Sequence, residues 1–342
     1  MTDPKQLDQQ YYYERPVMKP TFRTYIRHLL LLAITFCTSM VAGVMYPFGP
    51  INTLPADDPG TAAEVVSFVL SLPMRYVGLV SDTVHKIFTI HYVLDYGLKF
   101  TLSVLFILIC HEMGHYIACR IYKVDATLPF FIPTPPLIGP AGTFGAFIKI
   151  LSPMPSRRAV FDIGVAGPIA GFVALIPIAL VGIATMEMAT PEQVANSQGG
   201  IVFSDPLLMK FFAYLFGIDL QFGIGNAFYY AAWLGLLVTA LNLIPSGQLD
   251  GGHAIYAVFG KTVHKLTGRI AFPVMAVFSV IGMYFFNSPS GLLIAIILAV
   301  MMRVGHPEPL DQTPLDQKRN VIAFATLVIF ALCFVPFPIK IS

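Results

Sequence analysis

The stretch ILICHEMGHYIAC, residues 107–119, places two histidines and a glutamate inside a run of apolar residues. His111, Glu112 and His115 are its acidic and basic side chains, and the residues around them would suit a lipid environment. Ionisable groups at membrane depth are costly unless they have a partner or a function. This stretch therefore predicts a membrane-buried helix that carries a functional site.

The composition of the whole chain agrees with a membrane environment. Apolar residues make up 56% of the 342 residues and charged residues 12%, whereas soluble domains have roughly 45–50% and about 25%. The mean hydropathy is +0.72. A formal net charge of +2 gives no reason to expect a nucleic-acid partner. The four cysteines form no C-x-x-C pair and lie in or beside apolar segments, so we expect neither a disulfide nor a cysteine metal site.

Apolar runs long enough to cross about 30 Å of hydrocarbon are the candidate membrane-spanning helices. They cover residues 29–45, 98–121, 159–186, 226–244, 270–286, 292–304 and 321–335, and the run at 292–304 is short. The sequence therefore predicts an all-α polytopic membrane protein with about six to seven transmembrane helices.

These runs divide the chain into five parts. We expect a cytoplasmic tail (1–28), a first transmembrane helix (29–46), an extracytoplasmic loop (47–97), a catalytic membrane core (98–253), and C-terminal membrane helices (254–342) with a cytoplasmic loop at 304–320. Residues 64–80 of the extracytoplasmic loop are half apolar. Two structures fit them, an amphipathic helix on the membrane surface and a packed loop.

The orientation follows from the distribution of positive charge between the spans. Sixteen Lys and Arg residues fall on the side that holds the N-terminal tail, and five fall on the other side. Because cytoplasmic segments carry the excess of Lys and Arg, we expect the N-terminus to be cytoplasmic. Neither a cleavage signature nor a transit peptide precedes the first span, so we expect a retained anchor in a bacterial inner membrane rather than a plastid membrane.

His111 and His115 are four residues apart, which is the spacing of two metal ligands on one helix face. On a helix both imidazoles lie on the same side, one turn apart, where they can bind a single ion. Glu112 lies about 100° round the helix, beside the open coordination position, where it can take a proton from water. The pattern H-E-x-x-H is the zinc-hydrolase arrangement. The alternative is a histidine cluster with a purely structural role.

A catalytic zinc ion normally has three protein ligands and one open position. The expected third ligand is Asp250 in NLIPSGQLDGGH, residues 242–253, at the cytoplasmic end of the fourth span. Pro245 and three glycines interrupt the helix and let Asp250 turn inward. The sequence therefore predicts one zinc ion per chain, bound by His111, His115 and Asp250. A helix-ending turn with a solvated aspartate is the alternative.

Taken together, these motifs resemble a known family. The segment HEMGH at 111–115, with the spacing Asn242-x-x-Pro245-x-x-x-Leu249-Asp250-Gly251, closely resembles the paired signature of the site-2 proteases, which are intramembrane zinc metalloproteases. Further resemblance lies in GTFGAFIKI (142–150), SRRAVFDIGVAGPIAGF (156–172) and GHPEPLDQTPLDQKR (305–319). These features look most like the branch that contains the ethylene-dependent gravitropism-deficient proteins of plastids and cyanobacteria and their bacterial relatives. The first hundred residues match no family that we can name.

The resemblance implies roles for particular residues. By family analogy His111, His115 and Asp250 are the zinc ligands and Glu112 is the general base. Asn242 matches the asparagine of the family motif and is expected to hold the substrate or its developing oxyanion, with simple helix packing as the alternative. Many bacterial members carry a PDZ module of roughly ninety residues, but residues 188–225 are too short for one, so we expect recognition without it.

Residues 127–151 are apolar, β-permissive and broken by Pro and Gly, which excludes a spanning helix. The family resemblance implies a hairpin that dips into the membrane beside the active site, where its edge strand can pair with an unwound substrate. Gly142 and Gly145 would permit close approach of the substrate backbone. A cytoplasmic loop with ordinary apolar packing is the alternative.

The function expected from the sequence is hydrolysis of a peptide bond in or near a transmembrane segment of another membrane protein. The expected partners are transmembrane protein substrates and the lipid bilayer, and the sequence leaves the oligomeric state open. Two functions of other classes remain as alternatives. One is a transporter with ionisable groups at membrane depth, and the other is a catalytically idle scaffold of the same fold.

Overall fold

This computed structural model describes residues 19–53, 60–190, 192, 200–301 and 308–341. Residues 1–18 of the predicted tail and 304–307 of the predicted loop 304–320 lie outside the described residues. Among the described residues, the helices are α1 Phe22–Val44, α2 Ala62–Thr89, α3 His91–Ile121, α4 Arg157–Ala184, α5 Leu207–Phe216, α6 Ala227–Asn242, α7 Asp250–Phe286, α8 Ser290–Met301 and α9 Gln317–Cys333.

Short antiparallel strand pairs join the helices at the two ends of the bundle. At one end β1 Phe130–Pro133 pairs with β2 Thr143–Phe147, and Phe130 lies opposite Phe147. The other strand pairs are β3 Glu187–Met188 with β5 Gly223–Ile224 and β4 Ile201–Phe203 with β6 Ile339–Ile341. The hairpin predicted within residues 127–151 is therefore formed by β1 and β2.

The predicted fold class, a helical polytopic membrane protein, is confirmed. As far as the described residues extend, each predicted span coincides with a helix, and residues 302–304 of the span 292–304 lie outside them. The helices α1, α2, α3, α4 and α7 are each long and apolar enough to cross a membrane by length and composition. The helix α6 has 16 residues and belongs to the shorter apolar helices. Its shortness follows from its C-terminal neighbours, because Pro245 and Gly247 follow its last residue closely.

The packed-loop alternative for residues 64–80 is wrong. These residues lie inside the 28-residue helix α2, which begins with a capping box in which Thr61 accepts from the backbone N–H of Glu64 and the Glu64 carboxylate accepts from the backbone of Thr61. Arg75, Asp82 and Lys86 interrupt its apolar run, which is why hydropathy alone predicted only part of the helix.

Two predicted boundaries also move. The helix that carries the histidines begins at His91 rather than at residue 98, and its first turns are held by an ion pair between Asp95 and Lys99 (Oδ2 to Nζ 2.6 Å). Asp250 is the first residue of the 37-residue α7, not part of the end of α6. The predicted division at 253/254 therefore falls inside α7, whose irregular point is Gly260, with φ of 84°.

The core of the bundle forms around α3 and α4, which pack along most of their shared length, while α6 packs against both and α7 against α4. Phe100 of α3 and Trp233 of α6 are fully or almost fully buried, and Leu175 of α4 lies in the same interior. In a lipid bilayer such packing is stabilised by close van der Waals contact between the helices rather than by removal of apolar surface from water. These contacts hold α3 rigidly at the centre, so the side chains of HEMGH have fixed neighbours.

Candidate metal centre

Three potential ligand atoms converge between α3 and α7. Nε2 of His111 and Nε2 of His115 are 3.2 Å apart, and each lies 3.4 Å from Oδ2 of Asp250. The two histidines are buried, and the aspartate side chain is largely so. The structure thus brings together the three residues that the sequence predicts as ligands.

The donor set fits zinc. Two imidazole nitrogens and one carboxylate oxygen form the ligand set of many catalytic zinc sites, with bonds of about 2.0–2.2 Å. In a tetrahedron with bonds of about 2.0 Å, two ligand atoms lie about 3.3 Å apart. The three distances between the ligand atoms, 3.2, 3.4 and 3.4 Å, match such an edge. A fourth, open position is left for water or substrate.

Asp250 reaches the histidines because the chain turns sharply between α6 and α7. Gly247 has φ of 55°, and its carbonyl accepts a hydrogen bond from Nε2 of the buried His264 (2.9 Å). A Cβ on Gly251 would lie 2.0 Å from the carbonyl oxygen of Leu243. These contacts fold the first turn of α7 back onto the end of α6, so that Asp250 faces α3.

His115 is oriented from behind by α4. Its Nδ1 donates to the carbonyl oxygen of Ile163 (2.6 Å), which directs Nε2 toward His111 and Asp250. Such a second hydrogen bond fixes the ring orientation and raises the basicity of a metal-binding imidazole. The sequence gives no signal for Ile163, because a backbone carbonyl can be supplied by any residue.

Glycines of α4 lie directly against the two imidazoles. A Cβ on Gly167 would be 2.1 Å from Nε2 of His115, and one on Gly171 would be 3.1 Å from Cβ of His111. Both glycines lie within residues 156–172, but no role was predicted for them from the sequence. Their spacing of four residues puts them on one helix face, which is the signal that could have identified them.

Glu112 is buried and lines a cavity of about 760 Å³ together with both histidines and Asp250. Ile148, just beyond β2, lines the same cavity, with its backbone N–H close to the Glu112 carboxylate. The cavity also contains polar side chains, including Lys149, Ser152 and Gln248. Glu112, the three potential ligand atoms and the hairpin therefore share one cavity between the helices.

The three predicted substrate residues lie in different surroundings. Nδ2 of Asn242, the last residue of α6, is 3.3 Å from Nε2 of His111. Gly142 lies against α1, where a Cβ would be 2.3 Å from the carbonyl oxygen of Thr38. Gly145 has φ of 95° and open space around it. Their roles toward a substrate stay predictions.

A polar cluster at the hairpin end of the bundle ties the site helices to α9. Nη2 of Arg319 donates to Oδ2 of Asp162 (2.6 Å) and to Oη of Tyr122 (3.0 Å), and the hydroxyl of Tyr122 donates to Asp162. Burial and the Asp162 carboxylate raise the pKa of Tyr122, which follows the last residue of α3. The cluster joins α3, α4 and α9, and it was not predicted from the sequence.

Comparison with known proteins adds an independent finding. The family model described as peptidase family M50 matches residues 99–284. The probable zinc metalloprotease EGY1, chloroplastic, of Arabidopsis thaliana is 28% identical over 254 residues, which cover 71% of this chain and 43% of that protein. The probable zinc metalloprotease EGY2, chloroplastic, of Oryza sativa subsp. indica is 26% identical over 279 residues, covering 79% and 48%.

The chain thus spans less than half the length of these relatives. The names of these relatives describe them as chloroplastic. They give no support to the bacterial inner membrane expected from the sequence. No solved structure matches the chain significantly.

Proposed function

Because the chain belongs to peptidase family M50, the site-2 protease family, we propose that it hydrolyses a peptide bond in or near a transmembrane segment of other membrane proteins. The observation that carries this proposal is the triangle of His111, His115 and Asp250 beside the buried Glu112, all on helices of the membrane bundle. Family and donor set together give zinc as the cofactor.

The chemistry divides between the ion and the chain. When bound, zinc supplies a Lewis acid that polarises the scissile carbonyl and acidifies water. Glu112 takes a proton from the attacking water, whose oxygen forms the new bond to the carbonyl carbon. Glu112 then passes the proton to the amide nitrogen as the carbon–nitrogen bond breaks, which leaves a carboxylic acid and an amine. The amide of Asn242, beside His111, can donate to the carbonyl oxygen of the substrate.

The substrate must present an extended backbone, since the amide bonds of an intact helix are shielded by its own hydrogen bonds. Ala146, Ile148 and Ile150 line the cavity beside the catalytic residues. An unwound segment of a transmembrane protein can pair with this edge of the hairpin as an added strand. The hairpin edge therefore offers main-chain partners to an unwound transmembrane segment beside the catalytic residues.

We also propose that the hairpin end of the bundle faces the cytoplasm, because the segments at this end carry most of the Lys and Arg residues. The strand pair of β4 with β6 and the hydrogen bond from the N–H of Ile341 to the carbonyl of Asn287 lie at the end of the bundle away from the hairpin. Successive spans therefore connect alternating ends of the bundle, as this orientation requires. Reporter fusions after Leu151 and after Asn287 should report opposite sides, cytoplasmic and extracytoplasmic respectively. Reversed signals would overturn the orientation.

The test of the proposed function is Glu112→Gln. We expect the variant to bind one zinc ion per chain as the wild type does and to lose at least about 10²-fold in cleavage of a reconstituted transmembrane substrate, because the base is missing. Glu187→Gln in β3, away from the site, is the matched control and should cleave normally. Equal cleavage by Glu112→Gln would refute the mechanism, and a wild type that binds zinc without cleaving any transmembrane substrate would favour the idle scaffold.

A further inference from the structure

The helix α1 lies outside the part of the chain that matches family M50. It nevertheless forms hydrogen bonds with the residues immediately before each strand of the hairpin. Nδ1 of His28 donates to the carbonyl oxygen of Pro129 (2.8 Å), immediately before β1. Oγ1 of Thr38 donates to the carbonyl of Gly142 (2.7 Å), immediately before β2. These two points are ten residues apart on α1, about 15 Å along its axis, so together they fix the direction of the hairpin.

Two neighbouring hydrogen bonds join α1 to the residues immediately before β2. Oγ of Ser39 donates to the carbonyl of Ala141 (2.7 Å), beside the bond from Thr38 to Gly142. Ala141 and Gly142 both adopt the left-handed backbone conformation, with φ of 55° and 70°. This conformation turns both carbonyls toward α1, and the absence of a Cβ on Gly142 lets the two backbones touch.

Aromatic contacts continue the connection from α1 into both strands. The rings of His28 and Phe130 have centroids 4.1 Å apart, and the guanidinium of Arg27 lies 5.0 Å from the Phe130 centroid. Phe130 in turn stacks on Phe147 of β2 at 5.6 Å. Displacement of α1 would therefore move β1 and β2 together.

The opposite edge of the hairpin faces the catalytic residues. The backbone of Lys149 pairs with Thr127, and the N–H of Leu151 donates to Asp125, so both point toward the first arm of the hairpin. The alternation of a strand then points the backbone groups of Ile148 and Ile150 the other way. Ile148 and Ile150 line the cavity that contains Glu112, which agrees with this direction.

We propose that Thr38 and Ser39 are positioning residues of the active site, which set the hairpin edge against Glu112 from the far side. This inference rests on the proposed function, because the edge that α1 sets is the one offered to an extended substrate. It gives the N-terminal part of the chain a role in placing the substrate and assigns Gly142 to the contact with α1.

The test is the double variant Thr38→Val/Ser39→Ala, which removes both hydroxyls and leaves α1 its apolar packing. We expect unchanged zinc content, a raised KM and a fall in kcat/KM of roughly tenfold for a reconstituted transmembrane substrate, from the loss of two hydrogen bonds. Amide hydrogen exchange across residues 141–151 should become faster while α3 and α4 keep their protection. The single variant Thr38→Ser retains both hydroxyls, adds no atom at the completely buried Ser39 and should keep the wild-type values.

The matched control is Thr35→Val on the same helix, because Oγ1 of Thr35 donates to the carbonyl of Leu31 within α1 and does not reach the hairpin. It should match the wild type in both measurements. Unchanged KM and unchanged exchange at 141–151 in the double variant would overturn the inference, as would zinc loss with general loss of protection. If the double variant does not fold, Thr38→Val alone is judged by the same outcomes. A wild type that cleaves nothing would refute the proposed function instead.

Discussion

Two consecutive helices of similar length, α2 and α3, differ completely in their surroundings. Ile90 alone separates them, and both are long and apolar enough to cross a membrane, with mean hydropathies of 1.4 and 1.9 in their most apolar windows. No residue of that window is buried in α2, whereas 56% of it is buried in α3. Near its end α2 buries Thr83 and Ile87, and its other side chains remain partly or fully exposed.

The packing of α1 against α3 indicates which of the helices α2 and α3 crosses the membrane. A Cβ on Gly43 would lie 2.1 Å from the Phe100 ring, and one on Gly97 would lie 2.8 Å from Val44. Together with the contact of His28 with Pro129, these contacts show that α1 and α3 run antiparallel side by side. Two adjacent antiparallel spans would leave the chain between them on one side, so we expect α2 not to cross the membrane between them.

This comparison teaches that hydropathy describes the side chains of a helix but not its neighbours. In α2 the charged groups pair along the helix itself, as Asp82 with Lys86 (Oδ2 to Nζ 2.7 Å), which suits an amphipathic helix on the membrane surface. In α3 one such pair, Asp95 with Lys99, lies near the start of the helix, whereas His111 and His115 contact α4 and α7. Substitutions that introduce or remove the same groups in the two helices should therefore give unequal effects.

The largest effect is expected where α4 touches the metal ligands. In Gly167→Ala the new methyl group would lie 2.1 Å from Nε2 of His115 and must displace the imidazole. We expect a loss of at least about 10–100-fold in zinc affinity, as for disturbed ligand orientation elsewhere, and loss of cleavage. Metal analysis of the purified protein measures the first effect and cleavage of a transmembrane substrate the second.

The control is Gly268→Ala in α7, where the new methyl group would be 3.7 Å from Oγ of Ser246, an ordinary contact. This variant should bind zinc normally. Full zinc occupancy in Gly167→Ala would contradict the close packing of α4 on the site.

The sequence predicted most of the ligand geometry because local periodicity determines it. The spacing of His111 and His115 gives one helix face directly, and the family resemblance implied the hairpin in the Pro- and Gly-broken segment 127–151. The third ligand needed a long-range contact, which the sequence indicated through the Pro- and Gly-broken end of the fourth span and through its similarity to a family motif. The helix to which Asp250 belongs was predicted wrongly, since this residue begins α7 rather than ending α6.

What the sequence could not provide are contacts made through backbone atoms and empty space. The carbonyl of Ile163 behind His115 and the hydrogen bond from Ser39 to the carbonyl of Ala141 leave no local pattern. The missing Cβ of Gly167 was indicated only by the four-residue spacing from Gly171. The full extent of α2 was missed for a different reason. Its charged residues lower the local hydropathy, although they are spaced to pair on one helix.

The second prediction compares two phenylalanines. Phe100 of α3 is completely buried, whereas Phe88 of α2 is 80% exposed. Phe100→Ala should lower the free energy of unfolding by about 3–5 kcal/mol, because it leaves a cavity beside α1. Phe88→Ala should change it by less than about 0.5 kcal/mol. Unfolding by denaturant in one detergent gives both values, and equal losses would contradict the different burial of the two helices.

The third prediction concerns the contact between α3 and α4. A Cβ on Gly114 would lie 2.4 Å from the carbonyl oxygen of Ala166, a backbone atom that cannot rotate away. Gly114→Ala should therefore force the helices apart and cost about 1–3 kcal/mol of stability. A lower unfolding temperature with reduced zinc content is expected, since His111 and His115 flank this position. An unchanged unfolding temperature would show that α3 and α4 are packed less closely.

The smallest effect, of opposite sign, is expected for the corresponding substitution in α2. Gly78 has no atom within 4 Å of the position of a new Cβ, so Gly78→Ala adds no clash and removes the conformational freedom of a glycine inside a helix. The gain should be about 0.5–1 kcal/mol, with zinc content and cleavage unchanged. A loss of stability would mean that another molecule, such as a second copy of this chain, covers this face of α2. In that case the exposure of α2 would mark an interface rather than a membrane surface, and the contrast with α3 would be one of partners rather than of burial.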